Sequence, residues 1–225
     1  MAVEGFPTDR YSGRGLIAGR LADGESWLQI YWISGRSENS RNRVQIEEEG
    51  EVRTATADRS KQVDGTFTLY TALCSQDGAQ IVGNGDQVTT VVEALGAGGS
   101  FEQALRTRSV EDDPPIWTPR ITAIVAGGKL TLSKIAKNGH AFFEAAPLEP
   151  GEGLCLHTYR GDGDPILPFN EDPYPLRLEG DIEELAHSVW GRLDPQLRVA
   201  LVVKKIEADG SFRHLIVNRL TPPSS

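Results

Sequence analysis

The sequence predicts an α+β protein in which antiparallel sheets stack on one another and helices lie outside them. Three observations carry the prediction. Short apolar runs bounded by Gly, Asp or Asn recur along most of the chain and read as strands. Tight turn signals join several of these runs, which makes sequence neighbours antiparallel partners. Helical periodicity is grouped rather than alternating with every strand, and this excludes a doubly wound parallel sheet. The count is roughly ten strands and three helices. No linker or internal repeat interrupts them, so a single domain over residues 1–225 is expected.

The elements follow in order. "RGLIAGR" (14–20) and "SWLQIYWI" (26–33) are the first strands, and "EVRTATA" (51–57) and "GTFTLYTALC" (65–74) the next. "AQIVGNG" (79–85) follows Asp77-Gly78, which predicts a hairpin over 66–82. "DQVTTVVEAL" and "SFEQALRTR" carry apolar residues at helical spacing, with "GAGG" (96–99) as the break between them. After the Pro-rich "EDDPPIWTPR", "ITAIVAGGKLTLSKI" reads as a hairpin through Gly127-Gly128. "GHAFFEA" and "GLCLHTY" read as further strands, and residues 160–175 as a polar loop. "DIEELAHSVWGRL" places Ile182, Leu185, Val189 and Leu193 on one helical face, with Asp181 where the helix dipole favours a carboxylate. "RVALVVKKIE", the turn "ADG" and "SFRHLIVNRL" form a closing hairpin.

Composition narrows function. A net charge of −9 without a basic stripe argues against a nucleic-acid partner. Without an apolar stretch of spanning length or a signal-like start, no membrane partner and a cytoplasmic setting are expected. Cys74 and Cys155 make no CxxC and read as buried thiols. The four histidines, His140, His157, His187 and His214, lack metal-ligand spacing, so neither a metal nor another cofactor is expected. Asp162 and Asp164 could ligate magnesium, although Asp-Gly repeats beside Pro are also plain turn chemistry. "IEEEGE" (46–51) reads as a solvated acidic run. "SGRSENSRNR" (34–43) concentrates arginine just after a strand in an acidic chain. It is either an anion site or a polar loop, because Arg forks with amide and hydroxyl donors suit a phosphate. "VGNGDQ" (82–87) closes a strand and opens a helix, as an anion-facing or a merely tight turn.

Taken in order, "YSGRGLIAG", "GRSENSRNRV", "IVGNGDQ", "WTPRI" and "PLEPGEGLCLHTYRGDGDP" resemble the archaeal-type IMP cyclohydrolase family, especially its bacterial branch. The resemblance implies a four-layer αββα sandwich of the N-terminal-nucleophile hydrolase type. It also implies closure of 5-formamidoimidazole-4-carboxamide ribonucleotide to inosine monophosphate with loss of water. The ligand would be a purine nucleotide; a homo-oligomer stays open. Matching positions imply substrate binding by Arg36, Asn39, Arg41, Asn42, Arg43, Asn84, Asp86 and Arg120. Either Arg41 or Arg43 would be the active-site arginine. Glu111 is expected as acid/base for the amide nitrogen and departing oxygen, its proton held by the acidic neighbours Asp112 and Asp113. Tyr70 is expected as donor to the formyl oxygen. Competing readings are a nucleotide-binding homologue with altered or lost catalysis, and an N-terminal-nucleophile amidase. The amidase needs Ser, Thr or Cys first, whereas Ala2 follows Met1 here and the first hydroxyl is Thr8.

Overall fold

The computed structural model describes residues 2–61 and 69–222. The chain opens with β1 (Val3–Glu4), β2 (Arg14–Arg20) and β3 (Trp27–Ser34), then one helical turn, α1 (Glu38–Arg41). A meander follows through β4 (Arg43–Glu48), β5 (Glu51–Thr56), β6 (Thr71–Gln76) and β7 (Ala79–Gly83). Helices α2 (Gln87–Gly96) and α3 (Phe101–Arg106) precede β8 (Arg120–Ala126), β9 (Lys129–Ala136) and β10 (Gly139–Glu144). Next come β11 (Glu152–His157), β12 (Tyr159–Arg160), β13 (Leu167–Pro168) and β14 (Tyr174–Leu178). The last elements are α4 (Ile182–Arg192), β15 (Arg198–Ile206) and β16 (Phe212–Asn218).

Two seven-stranded antiparallel sheets organise these elements. One runs β1-β14-β11-β2-β3-β15-β16 and the other β10-β9-β8-β7-β6-β5-β4, with β12-β13 a small separate ladder. Alternation along the strands decides which core each side chain joins. On β2 and β3, Leu16, Ala18, Tyr31 and Ile33 share a core with Val82, Ile121, Ala123 and Leu132 of the second sheet. Their neighbours Ile17, Leu28, Ile30 and Trp32 pack instead with Ile182, Leu185, Ala186 and Val189 of α4. On the second sheet, Ile81 and Ile124 pack with Val88, Val91, Phe101 and Leu105 of α2 and α3. Burying such a side chain contributes about 1.5–3 kcal/mol, so the helical faces are fixed by these contacts. Capping boxes start α3 (Ser100 with Gln103) and α4 (Asp181 with Glu184). The two sheets are also clipped at one edge: the Asn218 amide donates to the Gln45 carbonyl and accepts from the Gln45 N–H, both at 2.8 Å.

Several expectations need correction. The predicted strand 65–74 falls partly on residues 62–68, outside the described residues; the described strand begins at Thr71. Its hairpin with β7 turns on Asp77-Gly78 at φ 49° and 79°, as the dipeptide predicts. The acidic run is solvated, as expected, with Glu47, Glu48 and Glu49 exposed; the strand β4 that carries its start is not among the expected strands, and there Val44 and Gln45 are buried. Residues 160–175 are not only a polar loop, since Ile166 and Phe169 are buried and β13 pairs with β12. Both cysteines are free and buried, and burial pushes each thiol up to about 12. Among the described residues no helix is long and apolar enough to cross a membrane.

Candidate active site

Where β2, β3 and β4 begin or end, a cavity of about 340 Å³ opens. That lies within the ~300–1,000 Å³ usual for small-molecule sites. One set of lining side chains comes from the arginine-rich string: Ser34, Arg36, Ser37, Ser40 and Arg43. Ser37 caps α1 by accepting from the Ser40 N–H (3.1 Å), and the Ser40 hydroxyl donates back to the Ser37 carbonyl (2.8 Å). This turn lets β4 start at Arg43, which is 5% exposed. Arg43 Nε donates to the Ser40 carbonyl at 2.8 Å, and its terminal nitrogens have no hydrogen-bond partner among the described residues. A buried guanidinium with free donors in a cavity wall is an anion-seeking group. Arg36 is exposed, packs over the Tyr11 ring at 5.4 Å and donates to the Gly163 carbonyl at 3.0 Å.

A second set surrounds a buried ion pair. Arg14, the first residue of β2, donates from Nη2 to Glu111 Oε2 at 3.0 Å and from Nη1 to the Asn84 carbonyl at 2.9 Å. Nη1 also stands 2.9 Å from Glu111 Oε1, but that oxygen receives no hydrogen bond among the described residues. Glu111 is 3% exposed and belongs to the cavity lining, with both of its carboxylate oxygens within 3.0 Å of the Arg14 guanidinium. Burial pulls the Arg14 guanidinium down, but Glu111, followed by Tyr70, Tyr159 and Tyr31, outweighs it and leaves the group well above its ordinary value. The charge facing Glu111 is therefore Arg14, not its sequence neighbours. Asp112 is exposed, and Asp113 is bound to Thr118.

The loop that carries Glu111 is closed at its neck by Glu111 N–H donating to the Thr118 carbonyl at 3.2 Å. Inside it, Trp117 sits at φ 55°, a left-handed conformation that a bulky residue adopts only under constraint. The constraint is visible next door. Asp113 accepts from the Thr118 N–H at 2.7 Å and from the Thr118 hydroxyl at 2.5 Å. Thr118, Asp113 and the hydroxyl-bearing Tyr159 all line the cavity.

The remaining expected residues are placed elsewhere. Asn84 is fully buried: its side chain donates to the Pro119 carbonyl and accepts from Ile121 N–H and Gln87. Arg120 is held by Asp86 (2.6 Å), Gln87 (3.0 Å) and the Ser109 carbonyl (2.8 Å). Asp86 also bonds Arg108. None of these three lines the cavity. Asn42 ties β4 to Asp58 through two side-chain hydrogen bonds, and Arg41 reaches back to the Arg36 carbonyl. Asn39 is half-buried and off the cavity wall. Of Arg41 and Arg43, then, it is Arg43 that faces the cavity. Tyr70 is buried with its hydroxyl 2.5 Å from that of Tyr31, and it too is not a lining residue. Asp162 pairs with Arg10 at 3.2 Å. Sequence reasoning missed Arg14, Thr118 and Tyr159. For Arg14 the one available signal was a charge opening the otherwise apolar run RGLIAG.

These features define an α+β protein with a small-molecule cleft that joins an unpaired guanidinium to a buried carboxylate. The chain belongs to the IMP cyclohydrolase-like protein family, which it matches over residues 11–210. No curated protein matches it.

Proposed function

We propose that the protein is an IMP cyclohydrolase, closing 5-formamidoimidazole-4-carboxamide ribonucleotide to inosine monophosphate with loss of water. The observation that carries this reading is the buried Arg14–Glu111 pair in the lining of the same cavity as Arg43, whose terminal nitrogens have no hydrogen-bond partner among the described residues. Family membership supports it. The substrate needs a cationic subsite for its phosphate, and Arg43 with Arg36 supplies one. Its amide and formyl groups already share a ring, so holding them in near-attack geometry can supply much of the rate. Two protons must then reach the formyl oxygen. Glu111 is placed to move one of them, whereas Tyr70, turned toward Tyr31, is assigned to positioning.

In this reading the fold is a four-layer αββα sandwich of the N-terminal-nucleophile hydrolase kind, in one domain and with no N-terminal nucleophile in the chemistry. Support comes from the core shared by the two sheets and from helices packed on the outer face of each. The test is incubation of the purified protein with the formylated ribonucleotide while the absorbance of inosine monophosphate is followed. Turnover is expected. Binding without turnover would replace this reading with a nucleotide-binding homologue, and absence of both would remove the nucleotide altogether.

A further inference from the structure

We propose that Tyr159 is a second catalytic residue, moving the proton of the attacking carboxamide nitrogen through a relay formed with Thr118 and Asp113. This inference rests on the cyclohydrolase reading and assigns the proton that Glu111 does not carry.

The direction of the chain follows from what each group can donate. An ionised carboxylate only accepts, so the 2.5 Å contact between Thr118 Oγ1 and Asp113 Oδ2 spends the Thr118 hydrogen on Asp113. The Thr118 oxygen must then accept in its own contact with the Tyr159 hydroxyl, which therefore donates. Tyr159, itself a cavity-lining residue, is left with hydroxyl lone pairs and with its hydrogen spent on Thr118. A hydroxyl in that state is an acceptor for an N–H. Burial pushes the Tyr159 phenol up to about 12, against the pull of Arg14 and Thr118, so it keeps its proton at neutral pH and can relay but not store charge.

The ring is also held in place. A Cβ on Gly13, whose φ is 71°, would stand 2.3 Å from Tyr159 Cδ2, so the ring lies where only glycine permits. On its other contacts, Tyr159 stacks with Tyr11 at 5.6 Å and 20°. Such double fixation suits a group that must present one oxygen in one orientation.

The proton movements balance within the substrate. As the carboxamide nitrogen bonds to the formyl carbon, the carbonyl π pair moves onto the formyl oxygen. The nitrogen's proton passes to Tyr159, the Tyr159 proton to Thr118 and the Thr118 proton to Asp113. The chain then runs back and delivers one proton to the new alkoxide, giving a hydroxyl. Glu111 Oε1 takes the proton from the formamide nitrogen and hands it to that hydroxyl. The C–O bond breaks, water leaves, and the carbon–nitrogen double bond of the product forms. Both carboxylates end as they began, and nothing outside the substrate is consumed.

The experiment compares wild type with Tyr159→Phe, Thr118→Val, Thr118→Ser and Asp113→Asn, measuring kcat and KM separately, with thermal unfolding as a check on folding. Tyr159→Phe keeps the ring and its stacking. Expected are losses of kcat on the order of 10²-fold in Tyr159→Phe, Thr118→Val and Asp113→Asn, the lower end of what general acid–base groups contribute. KM should stay within about twofold, because proximity and phosphate binding are untouched. Thr118→Ser should restore turnover, which a merely structural role for the threonine methyl would not allow. Wild-type kcat in mixed light and heavy water should bend below a straight line, as several protons in flight require, and straighten in Thr118→Val. An active wild type with equally active Tyr159→Phe or Thr118→Val overturns the relay and leaves the cyclohydrolase intact. An inactive wild type overturns the cyclohydrolase reading and the relay with it.

Discussion

Two arginine–carboxylate pairs lie on either side of Asn84, and they do different work. Arg14–Glu111 is buried on both sides, with side chains 9% and 4% exposed, and both residues belong to the lining of the cavity. Arg120–Asp86 joins a buried guanidinium to a carboxylate that is 53% exposed, and Arg120 spends further donors on Gln87 and Ser109. The second pair is satisfied and fastens the start of α2 to β8. The first is buried in the wall of a ligand-sized space. Taking two charges out of water is costly, which is why a buried pair in a cavity wall marks function better than the presence of charges does.

The largest expected effect breaks the first pair. Glu111→Ala leaves the Arg14 charge buried without its partner, and unfolding free energy should fall by about 3–5 kcal/mol in denaturant titration. Glu111→Gln keeps the shape and should lose roughly 10²–10⁴-fold in turnover with the nucleotide still bound. Full turnover in Glu111→Gln would mean that the carboxylate has no chemical role and that the contrast between the pairs is only one of burial.

Arg43 tests whether the cavity is anion-seeking. Arg43→Ala removes charge-assisted bonds worth about 1.5–3 kcal/mol, so nucleotide affinity should weaken roughly 10- to 100-fold by calorimetry. Arg43 is also 5% exposed, so Arg43→Ala is expected to lower stability as well as affinity. Arg36→Ala, by contrast, should weaken binding with no measurable loss of stability, because Arg36 is exposed. Equal affinities in wild type and Arg43→Ala would turn the string back into a polar loop.

How far the sequence reveals all this depends on whether a residue's role is local. Turns at Asp77-Gly78 and Gly127-Gly128 and the carboxylate of Asp181 at the start of α4 are local devices, legible because the dipeptide or the position at a helix start itself dictates the geometry. Strand β4 is hidden because its apolar alternation lasts only from Val44 to Ile46 before the glutamates begin. The arginine string stands out by its charge in an acidic chain and Glu111 through family resemblance, and neither signal gives the direction of a side chain. Asn84, Asp86 and Arg120 show the consequence: their side chains are consumed by the backbone and by one another. Arg14 meets Glu111 across 97 positions, a contact that no local pattern announces.

Asn84 ties the two pairs together and should rank next. Its carbonyl takes a hydrogen from Arg14, and its side chain holds Pro119, Ile121 and Gln87. Asn84→Ala strands buried donors and acceptors at about 1–3 kcal/mol for each group left unsatisfied, so the thermal midpoint should drop by several degrees. Turnover per folded molecule should fall less than in Glu111→Gln, because the Asn84 carbonyl that orients Arg14 belongs to the backbone and survives. A turnover loss as large as that of Glu111→Gln would place the Asn84 side chain in the chemistry and erase the distinction between scaffold and site.

The smallest effect belongs to Asp86, and its pH dependence separates an exposed pair from a buried one. Burial pushes the Asp86 carboxyl up, but Arg108 and Arg120 outweigh it and hold the group below its ordinary value. A carboxylate lowered in the folded state binds protons more readily once unfolded. Its contribution is therefore complete above the unfolded value of about 4 and is lost as pH falls through the lower folded value. Asp86→Asn should be less stable than wild type by at most about 1 kcal/mol at pH 7, since a half-exposed pair is screened by solvent. The two proteins should converge as the solution is acidified through the unfolded carboxyl value and below the lowered folded one. Denaturant midpoints of both proteins across that range supply the measurement. A stability gap that stays constant from neutral to acid pH would show that Asp86 acts through packing or helix geometry, and the ionic fastening of α2 to Arg120 would have to be given up.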